Sequence, residues 1–194
     1  MTRGERLLLS FAAVLLWVYG RSLRRPLELP ALLLPAAVHE LCHVISLLLG
    51  GCRVRSIRPE AMGLCIRYQA PASEGVQLAS ALAGPFGGLV YALALWRAEA
   101  PWLRLSAEWS LLLSLYNLLP ILPLDGGRAF LHLARLRWGE ERAQAWSRGL
   151  GLLFLIPLLG GGLFCLCRGL GSAPLIAGLW LLSAQLELAK ESAK

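Results

Sequence analysis

Six stretches of this chain, near residues 6–20, 29–49, 76–96, 106–123, 149–167 and 173–189, are mainly apolar and carry few charges. No other feature narrows the fold as far. A run of roughly 20 apolar residues crosses a bilayer as a helix, and a backbone in hydrocarbon, with no water to bond, must satisfy its own N–H and C=O groups. The composition agrees: 57% of the 194 residues are hydrophobic and 16% charged, against about 45–50% and about 25% in soluble domains. The expected fold class is an all-α polytopic membrane protein with about six transmembrane helices.

The formal net charge of +7 would raise nucleic acid as a partner in a soluble chain. Here every basic residue except Lys190 and Lys194 is arginine, and the arginines lie between the apolar runs. They read as topology and headgroup anchors against the lipid bilayer, so no nucleic-acid partner is expected. Basic residues are roughly twice as many on the side holding the two termini, the 50–75 loop and the 128–148 stretch, which places both termini in the cytoplasm. The first run resembles a signal peptide, but Gly20-Arg21-Ser22 is a poor cleavage site, and the run is kept as a span. Five cysteines without a C-x-x-C pair give no disulfide framework.

Between the second and third runs, Arg53 to Arg58 alternate polar and apolar, Pro59 and Gly63 bracket a turn, and Leu64 to Tyr68 resume the alternation. This predicts a small cytoplasmic-side β-hairpin. It would serve either as a loop against the headgroups or as a strand edge able to pair with an extended substrate.

The second run contains His39-Glu40-Leu41-Cys42-His43. Residues four apart share one face of a helix, so both imidazoles can serve one metal ion while Glu40 reaches a water beside it, the arrangement of zinc proteases. Ionisable side chains inside a span are expensive and mark function. Neutral imidazoles suit zinc, and a catalytic zinc takes three protein ligands. The third ligand is sought in the fourth run, which closes on Tyr116-Asn117-Leu118-Leu119-Pro120-Ile121-Leu122-Pro123-Leu124-Asp125-Gly126-Gly127-Arg128. Two prolines and two glycines must break that helix, and a broken helix at membrane depth survives only inside protein or along a wet cavity. The second and fourth runs point the same way, which brings Asp125 to the depth of the histidines; His132, beyond the Gly-Gly break, is its rival. The chemistry such a centre supports is hydrolysis with Glu40 as general base. Asn117 either hydrogen-bonds the substrate or packs between helices. In the third run, Ala83-Gly84-Pro85-Phe86-Gly87-Gly88 places Gly84 and Gly88 four apart, which favours close helix contact.

Taken in order, the three motifs resemble the site-2 protease family of intramembrane zinc metalloproteases, and within it the sporulation branch. The resemblance implies His39, His43 and Asp125 as Zn2+ ligands, Glu40 as the catalytic base, and Asn117 and Pro120 as substrate-binding positions. It further implies cleavage of a membrane-associated pro-protein near the cytoplasmic face, a sporulation pro-sigma factor in that branch. Small membrane regulatory proteins would be partners, in a bacterial cell membrane or the membrane surrounding a forespore. Two departures stand out. Cys42 occupies a position where the family usually has glycine or alanine, and the chain ends at Lys194 without the CBS domain common in that branch and without a PDZ module. The expectation is therefore one intramembrane metalloprotease domain over residues 1–194. The alternative is a non-catalytic membrane metal-binding protein, either a metal transporter or an inactive protease relative acting as a scaffold. A transporter would be expected to carry ionisable residues through several spans, whereas here they concentrate in two.

Overall fold

Proline and glycine decide where two of the helices of this chain stop, Pro101–Asn117 before Pro120 and Asp125–Trp138 at Gly139, although Pro35, Pro85 and Pro157 lie inside helices. The computed structural model describes residues 27–52, 54–60, 63–68 and 72–191. In chain order the elements are α1 (Glu28–Leu49), β1 (Val54–Glu60), β2 (Gly63–Tyr68), α2 (Glu74–Leu95), α3 (Pro101–Asn117), α4 (Asp125–Trp138), α5 (Glu140–Cys167) and α6 (Ala173–Glu191). The expected span over 6–20 lies outside the described residues.

The six-span expectation needs correction. Among the described residues three helices, α1, α2 and α5, are long and apolar enough to cross a membrane. The run at 106–123 does not form one helix. Pro120 and Pro123 lack the amide hydrogens a helix would use, and the residue before each is pushed away from helical geometry, so α3 stops after 17 residues at Asn117. The chain then turns and restarts as α4, a 14-residue helix that hydropathy did not foresee because it is rich in arginine. Gly139, with φ of 80°, separates α4 from α5, and α5 begins at Glu140, nine residues ahead of the apolar run that marked it. In α6 the apolar part, Ala173–Leu188, falls short of the length a span requires. Between α1 and α2, β1 and β2 pair antiparallel from Val54 opposite Tyr68 to Glu60 opposite Gly63, with an irregularity between Val54 and Ser56.

The chain divides into two compact units. One holds the described residues up to Ala72 and Ala83–Leu115; the other holds Ser73–Leu82 and the chain from Tyr116 onward. In the first unit, α1 buries Ala31, Pro35, His39, His43 and Leu47, a stripe of every fourth residue on one face. Leu33, Leu34, Leu41, Ile45 and Leu48 point outward, so the two histidines lie inside and most of the large apolar side chains outside, as lipid requires. At its end, Gly51 takes φ of 78° while Gly51 N–H donates to Leu48 O at 3.0 Å and Cys52 N–H to Leu47 O at 3.0 Å. This is a Schellman turn, and the positive φ is what calls for glycine. Helix α3 buries Ser106, Ala107, Ser110 and Ser114, small residues that let backbones approach where lipid offers no hydrophobic drive. The Ser110 hydroxyl donates to Gly88 O at 2.8 Å, and Tyr91 and Ser106 share a hydroxyl hydrogen bond of 2.8 Å.

In the second unit, Ile121, Leu124, Leu155 and Leu181 form the core, with Tyr116, Leu119, Leu158, Leu159, Trp180 and Leu182 packed on it. Helices α5 and α6 meet through Gly162, where an added Cβ would come within 2.6 Å of Leu175 Cα. The neighbours of that atom are backbone and cannot rotate away. At Gly161, by contrast, nothing lies within 4 Å. Gly162→Ala is therefore expected to lower stability by about 1–3 kcal/mol, while Gly161→Ala leaves it unchanged or slightly raised; thermal unfolding of the two variants in detergent checks the difference.

Candidate metal centre

Two imidazoles occupy the buried face of an otherwise apolar helix. His39 is 5% and His43 9% exposed. Their Nε2 atoms stand 3.2 Å apart, with the rings edge to face at 80° and centroids 4.8 Å apart. Two nitrogens each bonded to one tetrahedral zinc at about 2.0–2.1 Å stand about 3.3 Å from one another. The pair therefore matches in spacing the two-nitrogen half of a zinc site. Glu40, the next residue after His39, is half-buried and lies about a quarter-turn around the helix.

The ring of His43 is seated by a glycine. A Cβ on Gly84 of α2 would overlap the imidazole, its three nearest atoms being His43 Nε2, Cε1 and Cδ2. The motif Ala83-Gly84-Pro85 read as helix packing; the structure adds that Gly84 leaves the space which the His43 ring fills. One helical turn further, Gly87 faces the Cys42 thiol, again at a distance that leaves no room for a methyl group. This supplies a physical account of Cys42: α2 presents glycine where α1 presents a side chain larger than the usual glycine or alanine. Gly88 faces the other neighbour, Ser114 of α3.

The second unit holds the candidate carboxylate. Asp125 is the first residue of α4 and 7% exposed, where the positive end of the helix dipole favours a negative group. Its two following glycines are required by packing: a Cβ on Gly126 would strike the Leu118 and Leu119 carbonyls, and one on Gly127 the backbone of Ile121 and Leu122. The turn thus folds back on the start of α4. Asn117 ends α3 and Pro120 lies within the turn, both half-buried. His132, the rival ligand, is engaged elsewhere: its Nδ1 is 2.6 Å from Glu74 Oε2. The Arg135 guanidinium lies 3.8 Å from Glu74 and 2.7 Å from Glu140. Glu74 carried no signal in the sequence, because the partner it meets is 58 positions away. Among the described residues, the buried candidate ligands are His39 and His43 in the first unit and Asp125 in the second.

The Gly87–Cys42 contact can be tested by compensation. Gly87→Ala is expected to destabilise the protein by about 1–3 kcal/mol, and adding Cys42→Gly should recover part of that loss even though glycine by itself weakens a helix by about 0.5–1 kcal/mol. A double-mutant cycle of unfolding midpoints that shows no coupling would remove this explanation of Cys42.

A family model described as Peptidase M50B-like matches residues 7–131, a segment that contains His39 to His43, Gly84 to Gly88 and Asn117 to Asp125. No curated protein sequence matches the chain. Among solved structures, the fold is similar to that of the Site-2 Protease from Methanocaldococcus jannaschii, with a TM-score of 0.67 and 20% identity, over 92% of this chain and 87% of that one. With the family model covering most of the chain and the fold matching over nearly all of it, the chain belongs to the Peptidase M50B-like, or site-2 protease, family of membrane metallopeptidases.

Proposed function

We propose that this protein is a zinc-dependent intramembrane endopeptidase in which His39, His43 and Asp125 hold the metal and Glu40 is the catalytic base. The observation that carries the reading is the 3.2 Å separation of two imidazole Nε2 atoms on the buried face of a helix apolar enough to span a membrane. Zinc, when bound, supplies Lewis-acid polarisation of a carbonyl and makes water acidic near neutral pH. The residues of the chain do the remaining work. Glu40 takes the proton from water and returns it to the departing amine. Asn117 and Pro120, at the break between α3 and α4, engage the substrate backbone, which has to be unwound before its peptide bond is accessible. Gly84 keeps the His43 ring in its orientation by leaving it room.

The substrate class is a membrane-associated pro-protein cut near the cytoplasmic face, with small membrane proteins as regulators. The narrower reading, a sporulation pro-sigma factor, draws on the motif resemblance alone.

Glu40→Gln is expected to retain zinc yet lose cleavage by roughly 10²–10⁴-fold, the usual contribution of a positioned acid or base. His39→Ala, His43→Ala and Asp125→Ala should lose the metal as well. The measurement is co-expression with a membrane-tethered pro-protein, read as the cleaved band, together with metal analysis of the purified variants. Cleavage by Glu40→Gln at the wild-type level would overturn the mechanism.

A further inference from the structure

Gln185 is a buried amide in an apolar helix with a task that its own helix does not explain. It lies on α6 at 5% exposure, beside Ala184 at 4% and one turn after Leu181 at 0%. A primary amide buried without a hydrogen-bond partner is costly, and leucine would fill similar volume without that cost. The Gln185 amide reaches across to another segment: Nε2 donates to the carbonyl oxygen of Leu122 at 3.0 Å. Room for it is built into α5, where a Cβ on Gly151 would come within 2.7 Å of the same Nε2.

Leu122 sits in the turn that delivers Asp125. Neither Pro120 nor Pro123 has an N–H, and the turn closes on itself through Ile121 N–H to Leu119 O at 2.8 Å and Leu124 N–H to Ile121 O at 2.8 Å. The carbonyl between them is held from α6. Gly127 seats the first turn of α4 directly on the backbone of Ile121 and Leu122, so a displacement of Leu122 is passed to the turn that begins with Asp125. The route runs from the Gln185 amide to the Leu122 carbonyl, across to Gly127, and back two residues to the carboxylate.

We infer that Gln185 is a positioning residue for the metal centre: by holding the Leu122 carbonyl it fixes the direction from which Asp125 is presented. The inference rests on the reading of Asp125 as a metal ligand. It falls outside the segment matched by the family model, which ends at residue 131.

The test uses the full-length protein in detergent, loaded with zinc for retention against a chelator and with cobalt(II) for its visible spectrum, which reports ligand geometry. Gln185→Leu, which removes the donor and keeps the bulk, should lose zinc roughly 10-fold faster, the lower end of what removing a residue that orients a ligand costs, and should alter the cobalt spectrum. Gln185→Glu can donate to Leu122 only while its carboxyl is protonated. Its zinc retention relative to wild type should therefore fall as pH rises through that titration, a signature that general loss of stability does not produce. Gly162→Ala serves as the control that destabilises the same unit and leaves both metal readouts unchanged. Should Gln185→Leu fail to accumulate, Gly151→Ala, which presses on the same amide, gives the same comparison. Wild-type retention and spectrum in Gln185→Leu, with both altered in Asp125→Ala, overturn the role of Gln185 alone. Both unaltered in Asp125→Ala overturn the ligand assignment and the inference together.

Discussion

The protein depends on keeping two imidazoles side by side on the inner face of an apolar helix. Each ring is polar and each is withdrawn from solvent, so neither would be stable there with its nitrogens facing hydrocarbon. Setting the two Nε2 atoms 3.2 Å apart lets them share a hydrogen bond. What keeps it fixed is the spacing of four that stacks His39, His43 and the flanking Pro35 and Leu47 into one stripe.

Helices in lipid gain little from hydrophobic contact with each other and associate mainly through close packing and hydrogen bonds. In the first unit this rule and the requirements of the site converge on the same residues. Gly84 and Gly87 admit His43 and Cys42 from α1, while Gly88 admits Ser114 and accepts a bond from Ser110 of α3. The small residues that allow the helices to pack are those that leave space for the functional ring. Substitution at Gly84 would accordingly disturb packing and chemistry together, which makes activity loss there a poor guide to catalytic role.

Much of this was legible from the residues alone. The apolar runs at 29–49 and 76–96 fall within two residues of α1 and α2 at either end, because in those segments hydrophobicity and helix coincide. They part company after Asn117. Hydropathy measures what can face lipid, whereas a helix ends where its hydrogen-bond ladder is broken, and Pro120 and Pro123 break it inside the apolar run. The reverse holds for α4, which is helical although Arg128, Arg135 and Arg137 make it polar: Ala129, His132 and Ala134 are buried on one side. His132 illustrates what a sequence cannot show. Its residue type suits a metal, and only the arrival of Glu74 from a distant part of the chain gives it a different partner. Gln185 did leave a trace, as a single amide within an apolar run, but that trace names no acceptor.

The turn from Leu118 to Leu124 shows how an irregular backbone is made tolerable beside membrane helices. A segment with two prolines has fewer donors than acceptors, so some of its carbonyls must be met from elsewhere or stay unsatisfied. Part of the answer is local, in the short bonds that close the turn at Ile121 and Leu124. Another part is the contact of Gly126 and Gly127 with the turn's own backbone, close enough to exclude other atoms. The rest comes from outside the motif, in the amide of Gln185. With the loop held in three ways, the start of α4 at Asp125 is ordered as the chain folds.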